Sequence, residues 1–393
     1  MNRRLQRDAV VVGGGVVGSA CATALAQAGL SVALVEAAEP ARWSRDVPDL
    51  RVFAFAPDNA QLLQALGVWD DIASARAQPY RHMRVWDAAG GGELHFDADA
   101  LARRELGWIV EHALLAERLW DAALRAGVEL LQPTSVSGLE QRETSVRITL
   151  DDGATLDARI AIAADGGNST LRGLAGIRTR NHDYRQRGVV AYVETELPHQ
   201  LTAWQRFLPG GPLAFLPVDA DRRSSIVWSL PESEAERVLA LDNEAFDIEL
   251  TNAFAARLGK TRVVSKRAAF PLRRQLAKTQ LEGRVLLLGD AAHVVHPLAG
   301  QGVNLGLRDV AALRDSVIEA KRLGRNFDTP HRLQRWARAR RSDNVASTLA
   351  FEAINRAYSN DALLPTFLRG RALGIANSIA PLRDALWRHA AGV

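Results

Sequence analysis

The N-terminal part of the chain has two short apolar runs on either side of a glycine turn. Residues 9–12 and 32–35 are unbroken apolar runs, a pattern typical of strands that are buried on both faces of a parallel sheet. Small and apolar residues at 16–28 have the length of a helix, and Gly29 follows as a C-terminal stop. Residues 9–35 carry no charge and have the length of a membrane span, but the glycines and the change of period favour strand, turn and helix.

The middle of the chain changes to a period of two. Between residues 183 and 270, short runs alternate apolar and polar positions and are separated by turn residues, which predicts an antiparallel sheet. Residues 79–96 have a similar pattern before and after a glycine turn. We therefore predict an α/β protein in which an antiparallel sheet domain is inserted into a fold that begins as a βαβ unit.

The last part of the chain is helical in pattern and rich in arginine. Residues 363–393 combine apolar positions with four arginines, which is typical of a basic amphipathic helix in a membrane interface. The same pattern suits a helix that covers the protein's own apolar surface or that of a second subunit. A membrane surface and a homo-oligomer both stay open at this point.

A glycine motif follows the first predicted strand. Gly13, Gly15 and Gly18 form G-x-G-x-x-G, in which the first glycine makes the turn, the second admits a pyrophosphate and the third allows close packing of helix and strand. Glu36 ends the second predicted strand, where a carboxylate accepts hydrogen bonds from ribose hydroxyls. The order of these elements predicts a Rossmann-like dinucleotide site, and it does not distinguish NAD from FAD.

Composition sets the broad class of the protein. A chain of 393 residues with 47% hydrophobic and 24% charged residues is long enough for two globular domains. The formal charge of +4 is small for this length and gives no reason to expect nucleic-acid binding. Cys21 is the only cysteine, so no internal disulfide can form and a reducing, cytoplasmic location is expected.

A second glycine-rich segment near residue 300 indicates which dinucleotide binds. Residues 285–288 predict a buried strand that ends at Asp290, whose carboxylate can bind the hydroxyls of a sugar-like chain. Gly302 and Gly306 open a stretch of helical spacing. A helix that begins near Gly302 would direct unpaired N–H groups and a partial positive charge at its ligand. That arrangement suits the N1–C2=O edge of a flavin, which becomes negative on reduction.

Three strings resemble one enzyme family. HPLAGQGVNLGLRD at 296–309 resembles the second FAD-binding motif of the group A flavoprotein aromatic hydroxylases (the para-hydroxybenzoate hydroxylase-like fold), in the form seen in the ubiquinone-biosynthesis hydroxylases. DGGNSTLR at 165–172 matches the D-G-x-x-S-x-x-R pattern that the family has between its two FAD motifs. Residues 214–230 are similar to the ubiquinone hydroxylases as well. A plain turn with a helix cap would explain Asp165 and Ser169 almost equally well.

The resemblance implies FAD as resident cofactor and NAD(P)H as transient co-substrate. It places Pro297 and Gly300 beside the flavin ring as the catalytic positions, and it brings Arg51 and Arg172 near phosphate. A solvated surface arginine is the alternative for Arg51. At His112 the family often has asparagine, so a partly buried histidine without a catalytic duty is expected there. The predicted cofactor-binding residues are Gly13, Gly15, Gly18, Glu36, Arg51, Asp165, Asp290, Gly302, Val303 and Asn304.

The implied reaction is hydroxylation of a polyprenylated phenol or benzoquinol in ubiquinone biosynthesis, with NAD(P)H and O2, and it needs no metal. A reductase of prenyl double bonds and a non-enzymic flavin-binding scaffold within a biosynthetic complex remain as alternatives. The apolar and aromatic residues of the predicted sheet supply the candidate pocket walls, although each also suits a core: Val190, Tyr192, Phe215, Leu216 and Trp228. The predicted division is a discontinuous FAD-binding domain (1–78, 97–182 and 271–345), a substrate domain (79–96 and 183–270) and a C-terminal helical segment (346–393).

Overall fold

The computed structural model describes residues 7–88, 92–295 and 301–358. Its N-terminal unit forms as the apolar pattern predicts, with β1 (Arg7–Val12), α1 (Val16–Gln27) and β2 (Val32–Val35) in succession. β1 lies parallel to β2 and places Val10 opposite Ala33. None of the helices in these ranges is both long enough and apolar enough to cross a bilayer.

The first sheet of the described chain has a parallel core, as in nucleotide-binding α/β folds. Besides β1 and β2, its strands are β8 (Glu129–Leu131), β9 (Val136–Gln141), β10 (Val146–Leu150), β11 (Thr155–Ala163), β18 (Leu281–Glu282) and β19 (Val285–Leu287). The parallel strands lie side by side in the order β19, β11, β1, β2, β8, and β9 and β10 extend the sheet as an antiparallel pair next to β11.

The second sheet contains most of the residues between 179 and 277. Its strands are β5 (His82–Asp87), β6 (Glu93–Asp97), β12 (Thr179–Thr195), β13 (Thr202–Leu208), β14 (Gly211–Pro217), β15 (Arg223–Pro231), β16 (Thr261–Val263), β17 (Ala268–Ala277) and β20 (His293–Val294). They lie in the order β20, β17, β12, β15, β14, β13, β5, β6, and β16 also pairs with β12. Neighbours are antiparallel as predicted, except that β5 and β13 are parallel.

The predicted domain boundaries at 182/183 and 270/271 fall inside β12 and β17. They remain predictions.

A small third sheet and the helices complete the described fold. The sheet contains β3 (Val52–Phe55), β4 (Ala77–Tyr80) and β7 (Gly107–Glu111). The other helices are α2 (Pro57–Ala65), α3 (Trp69–Arg76), α4 (His112–Arg125), α5 (Thr170–Leu174), α6 (Glu232–Ala240), α7 (Asn243–Ala253), α8 (Gln301–Arg322) and α9 (Pro330–Tyr358), with 3-10 turns at Asp99–Leu101 and Gly289–Ala291.

The two faces of the first sheet are buried against different partners. Val11 and Leu34 face a core that includes residues of α1, α4 and α8. Val10 and Ala33 face the opposite core, which includes Ile148 of β10. Burial on both faces explains why β1 and β2 are unbroken apolar runs rather than alternating ones.

Candidate active site

Four neighbouring parallel strands end at one edge of the first sheet, and a predicted site residue follows each of them. Gly13 follows β1, Glu36 follows β2, Asp165 comes two residues after β11, and Asp290 comes three residues after β19. In open α/β sheets, ligands bind at the carboxyl ends of the strands. The fold therefore brings together residues that lie far apart along the chain.

The first glycine motif has the steric properties that its spacing predicts. A Cβ at Gly13 would lie 2.4 Å from the Ala164 carbonyl oxygen, and one at Gly18 would lie 1.8 Å from the Gly13 carbonyl oxygen. These two glycines therefore permit close backbone packing. At Gly15, no heavy atom of another described residue, apart from its chain neighbours, lies within 4 Å of the Cβ position. Gly15 is also the N-cap residue of α1 and provides no side-chain cap, so the first N–H groups of that helix are available to a phosphate.

Glu36 lies beside this glycine loop. Its carboxylate accepts hydrogen bonds from the backbone N–H groups of Gly14 and Ala38, the latter at 3.0 Å. Glu36 also lines the cavity described below. Its carboxylate is therefore fixed at the position where the motif predicts contact with ribose hydroxyls.

The segment 165–172 connects the glycine motifs. Ser169 caps α5 by accepting a hydrogen bond from the Arg172 N–H at 3.0 Å, as predicted. The Arg172 side chain donates instead to the carbonyl oxygens of Ala291, at 3.0 Å, and Gly167, at 2.9 Å. Its guanidinium thus ties this segment to the turn that carries Asp290, and the expectation that it faces phosphate is corrected.

The second glycine-rich segment meets the first at the same edge. Asp290, Gly302 and Val303 line the cavity, and a Cβ at Gly302 would lie 4.0 Å from the Asp290 Oδ1. The predicted catalytic positions Pro297 and Gly300 lie outside the described residues.

The Asn304 side chain makes its contacts within the protein, and the predicted contact of Asn304 with the cofactor stays a prediction. The side chain is fully buried and is not part of the cavity lining. Its Oδ1 accepts from the Ala56 N–H at 2.9 Å, and its Nδ2 donates to the Ala54 carbonyl at 2.8 Å. The Asn304 amide therefore fastens α8 to the segment between β3 and α2. Gly306 likewise serves packing, because a Cβ there would lie 2.6 Å from a methyl of Val17 in α1.

One continuous cavity of about 760 Å³ joins these elements. Its size is within the range of small-molecule and cofactor sites. Gly15 and Asp290 line the same cavity, as required if distant glycine segments share one ligand. The members of the predicted cofactor set that line it are Gly13, Gly15, Glu36, Arg51, Asp165, Asp290, Gly302 and Val303.

The cavity extends from the strand ends onto the face of the second sheet. Val190 and Leu216 line it, as predicted for pocket walls. Phe215 and Trp228 lie on the opposite face of the sheet, where the Phe215 ring stacks on Phe254 with centroids 3.8 Å apart. Successive side chains of a strand point to opposite faces. The pocket-wall assignment therefore moves to Ala214 and Val227.

Tyr192 is on the cavity face of the sheet but does not reach the cavity. Its hydroxyl donates to the Asp49 carbonyl at 2.9 Å, and its ring packs in a separate apolar cluster. This contact holds the loop before Arg51, so Tyr192 supports the cavity wall indirectly.

Two polar side chains in this part of the cavity were missed by sequence reasoning. Gln205 of β13 and Ser229 of β15 line the cavity among Gly188, Val190 and Val227. The sequence signal for these two residues was the alternation of apolar and polar positions along the strands. Gln205 pairs with Ala214, and Ser229 pairs with Gly188. A known strand register would therefore have placed both side chains on the cavity face of the sheet. Both can form hydrogen bonds to a ligand in this part of the cavity. We call this part the trough; it is otherwise lined largely by apolar residues, among them Val190, Ala214, Leu216 and Val227.

His112 lines the cavity next to Arg51. It begins α4, and its ring meets Phe53 edge-on with centroids 5.8 Å apart. Burial and the nearby Arg51 guanidinium lower the pKa of His112 to about 4. The imidazole is therefore neutral at pH 7, and Arg51 supplies the positive charge on this side of the cavity.

The sequence comparisons agree with this geometry. Residues 6–325 match the family model described as FAD binding domain. Ubiquinone hydroxylase UbiL of Rhodospirillum rubrum is 37% identical over 386 residues, which cover 98% of this chain and 89% of that protein. The 3-demethoxyubiquinol 3-hydroxylase of Escherichia coli is 34% identical over 388 residues, which cover 98% of both. The chain belongs to the FAD-dependent hydroxylases of ubiquinone biosynthesis.

Solved structures show that this hydroxylase has the fold of the flavin monooxygenases. p-Nitrophenol 4-monooxygenase PnpA of Pseudomonas putida superposes with a TM-score of 0.77 at 20% identity, covering 97% of this chain and 96% of that one. HpxO of Klebsiella pneumoniae, complexed with FAD and uric acid, gives 0.77 at 20% identity over 99% and 98%. The predicted family, α/β fold class, FAD cofactor and monooxygenase class are thereby confirmed.

The residues of this hydroxylase fit FAD. The open space at Gly15 leaves room for a pyrophosphate beside the N-terminus of α1. The Oδ1 atom of Asp165 is buried and has no hydrogen-bond partner among the described residues, although Asp165 lines the cavity. A buried acceptor of this kind is normally satisfied, and the flavin side chain offers hydroxyl donors.

Proposed function

We propose that this hydroxylase acts on the aromatic ring of a polyprenylated phenol or benzoquinol in ubiquinone biosynthesis, with FAD bound and with NAD(P)H and O2 as co-substrates. The observation that carries the proposal is the continuity of the cavity. Its nucleotide end, lined by Gly15 and Glu36, is joined to an apolar trough lined by Val190 and Val227. The names of the relatives from Rhodospirillum rubrum and Escherichia coli support the same substrate class.

The nucleotide end of the cavity binds and orients the cofactor. Bound FAD supplies electron transfer from NAD(P)H and the activation of dioxygen. Glu36 would accept hydrogen bonds from ribose hydroxyls and Asp290 from the ribityl chain, and the N–H groups at the start of α1 would bind pyrophosphate. The neutral His112 leaves Arg51 as the cation that approaches phosphate.

The trough holds the substrate and excludes water from the reacting ring. Val190, Ala214 and Val227 present apolar surface, which suits a prenyl chain. Gln205 and Ser229 offer hydrogen bonds to oxygen substituents on the ring. A site that is dry except for a few placed polar groups favours oxygen transfer over the loss of the reactive oxygen to water.

We further propose a cytoplasmic protein that works at the inner face of the membrane, because a polyprenylated substrate partitions into lipid. The segment 363–393 is a candidate membrane contact, with the protein's own apolar surface or a second subunit as the alternatives, and it lies outside the described residues. Liposome flotation of the full chain and of a chain that ends at Asp361 tests the membrane contact. Equal flotation of the two would remove it.

Product analysis under ¹⁸O2 tests the proposed reaction. The FAD-loaded protein is incubated with NADPH and a phenol that carries a short prenyl chain, and the product is examined by mass spectrometry. We expect one ¹⁸O atom in the ring and consumption of O2 that depends on the substrate. Addition of two hydrogens without O2 consumption would instead indicate a prenyl reductase, and no product with any prenylated phenol would favour a scaffold.

A further inference from the structure

Two histidines and one aspartate lie together on the outer hairpin of the second sheet. His82 is in β5, and His95 and Asp97 are in β6. β5 pairs antiparallel with β6, with His82 opposite Asp97 and Arg84 opposite His95. Residues two apart in a strand share a face, so all three side chains project from one side of the hairpin. None of them lines the cavity.

The spacing of the three side chains suits a shared metal ion. Each offers one ligand atom, and these atoms all lie within 4.8 Å of one another. The Nδ1 of His82 lies 3.8 Å from the Oδ2 of Asp97, which is too long for a hydrogen bond. Two ligands of one tetrahedral zinc ion, each about 2.1 Å from the metal, lie about 3.4 Å apart. A small inward movement would therefore complete the coordination.

The local hydrogen bonds prepare these atoms for coordination. The Oδ1 of Asp97 accepts the Asp99 N–H at 2.8 Å, which holds the carboxylate with its Oδ2 towards His82. The Nδ1 of His82 is buried and has no hydrogen-bond partner among the described residues. An unsatisfied buried ring nitrogen costs free energy, and coordination to a metal would satisfy it.

Two arginines close to these side chains, in β5 or directly before it, pair with other carboxylates. Arg84 pairs with Glu93 at 3.2 Å, and Arg81 pairs with Asp99. The side chains of His82 and Asp97 are 31% and 34% exposed. A metal ion could therefore enter from solvent and keep a water as its fourth ligand.

We propose that His82, His95 and Asp97 bind one divalent transition-metal ion, with zinc as the ion that two imidazoles, one carboxylate and a water suit best. The ion cross-links β5 to β6. β6 is an edge strand of the described sheet, and β5 is its one neighbour there. The ion therefore adds a second connection between these two strands, besides their backbone hydrogen bonds.

Zinc binding to tag-free, full-length, FAD-loaded protein tests the site. The protein is stripped with a chelator, dialysed against zinc, and its metal content is measured by mass spectrometry. We expect one zinc per chain, with affinity lowered at least about tenfold in His82→Ala and in His95→Ala. The control is His331→Ala, which removes an exposed histidine at the start of α9 and should bind zinc as the original chain does.

A milder variant separates loss of the ligand from loss of the fold. Asp97→Asn keeps an oxygen that can accept the Asp99 N–H but removes the charged ligand. Zinc should raise the Tm of the original chain and slow hydrogen exchange in β5 and β6, and both effects should be absent in Asp97→Asn at unchanged FAD content. Zinc affinity that is the same in all four variants, or no retention of zinc by the original chain, overturns the proposal.

Discussion

The Nε2 atom of His293 lies 2.7 Å from the Oδ2 of Asp309, and neither side chain is more than 1% exposed. The Oδ1 of Asp309 accepts from the Arg340 Nε at 2.8 Å, and its Oδ2 also accepts from the Gly289 N–H at 3.1 Å. Burial raises the pKa of Asp309, but His293 and Arg340 together hold it below its usual range. Asp309 is thus the point at which α8, α9 and the turn before Asp290 are joined.

Replacing Asp309 by asparagine should destabilise the fold. Arg340 is 6% exposed, so the substitution removes its buried carboxylate partner and leaves only the exposed carboxylate of Asp343. Loss of one partner of a buried pair costs about 3–5 kcal/mol. Urea denaturation of Asp309→Asn should show a free energy of unfolding that is lower by roughly this amount.

The matched control is Asp99→Asn. Asp99 also pairs with an arginine, Arg81, but its side chain is 74% exposed. Exposed pairs contribute about 0–1 kcal/mol. If the free energy of unfolding fell equally in the two variants, burial would not determine how much the Asp309 contacts stabilise the fold.

The second and third glycines of the motif predict different results for the same substitution. Gly15→Val adds a side chain where, apart from chain neighbours, no heavy atom in the described part of the chain lies within 4 Å of the Cβ position, so the fold should persist while the pyrophosphate is excluded. Gly18→Val places its Cβ 1.8 Å from the Gly13 carbonyl oxygen, so it should impair folding itself. Far-ultraviolet circular dichroism and FAD titration separate the two. Tight FAD binding by Gly15→Val would contradict this account.

Sequence reasoning succeeded where the fold is local. The first βαβ unit and the Ser169 cap follow from apolar spacing and capping chemistry within a few residues of one another. It was less successful with β3, because a run of four apolar residues before α2 has no distinctive period. Helices α6 and α7 were missed inside a region assigned to strands, although Asp242 caps α7 by accepting the Ala245 N–H at 2.8 Å.

The site residues that could not be predicted depend on register and on distant partners. Phe215 and Leu216 are adjacent in a strand, so both could not face one pocket, and only pairing with the neighbouring strands decides which does. The role of Asn304 depends on Ala54 and Ala56, which lie about 250 residues away along the chain. No local pattern carries such information.

Asp290→Ala should weaken FAD binding. The variant removes a carboxylate at the edge where both glycine segments meet, and a hydrogen bond to a charged group contributes about 1.5–3 kcal/mol. This corresponds to a dissociation constant for FAD that is roughly 10- to 140-fold higher. Fluorescence titration measures it, with the exposed Asp70→Ala as control. A variant purified with its full complement of FAD would exclude this role for Asp290.

His112 makes stability depend on pH. Its pKa is lowered from 6.5 to about 4 in the folded protein, so between these values the unfolded chain binds a proton that the folded chain does not. The free energy of unfolding therefore decreases as the pH falls from 6.5 towards 4. Urea denaturation of FAD-free protein across this range should show a smaller decrease for His112→Asn. Other histidines contribute equally to both proteins, so an identical pH dependence would contradict the lowered pKa.

Only one face of β14 and β15 lines the cavity, so a substitution in these strands should impair catalysis only if its side chain lies on that face. Ala214 lines the trough, so Ala214→Phe fills space that the proposed prenylated ring needs, and it should lower kcat/KM by about tenfold or more with FAD content unchanged. Trp228 packs on the other face, so Trp228→Phe should reduce stability slightly and leave kcat/KM close to its original value. Both constants come from oxygen consumption that depends on a prenylated phenol. If Trp228→Phe lowered kcat/KM more than Ala214→Phe did, the substrate would have to bind elsewhere, because packing on the far face of the sheet does not reach this cavity.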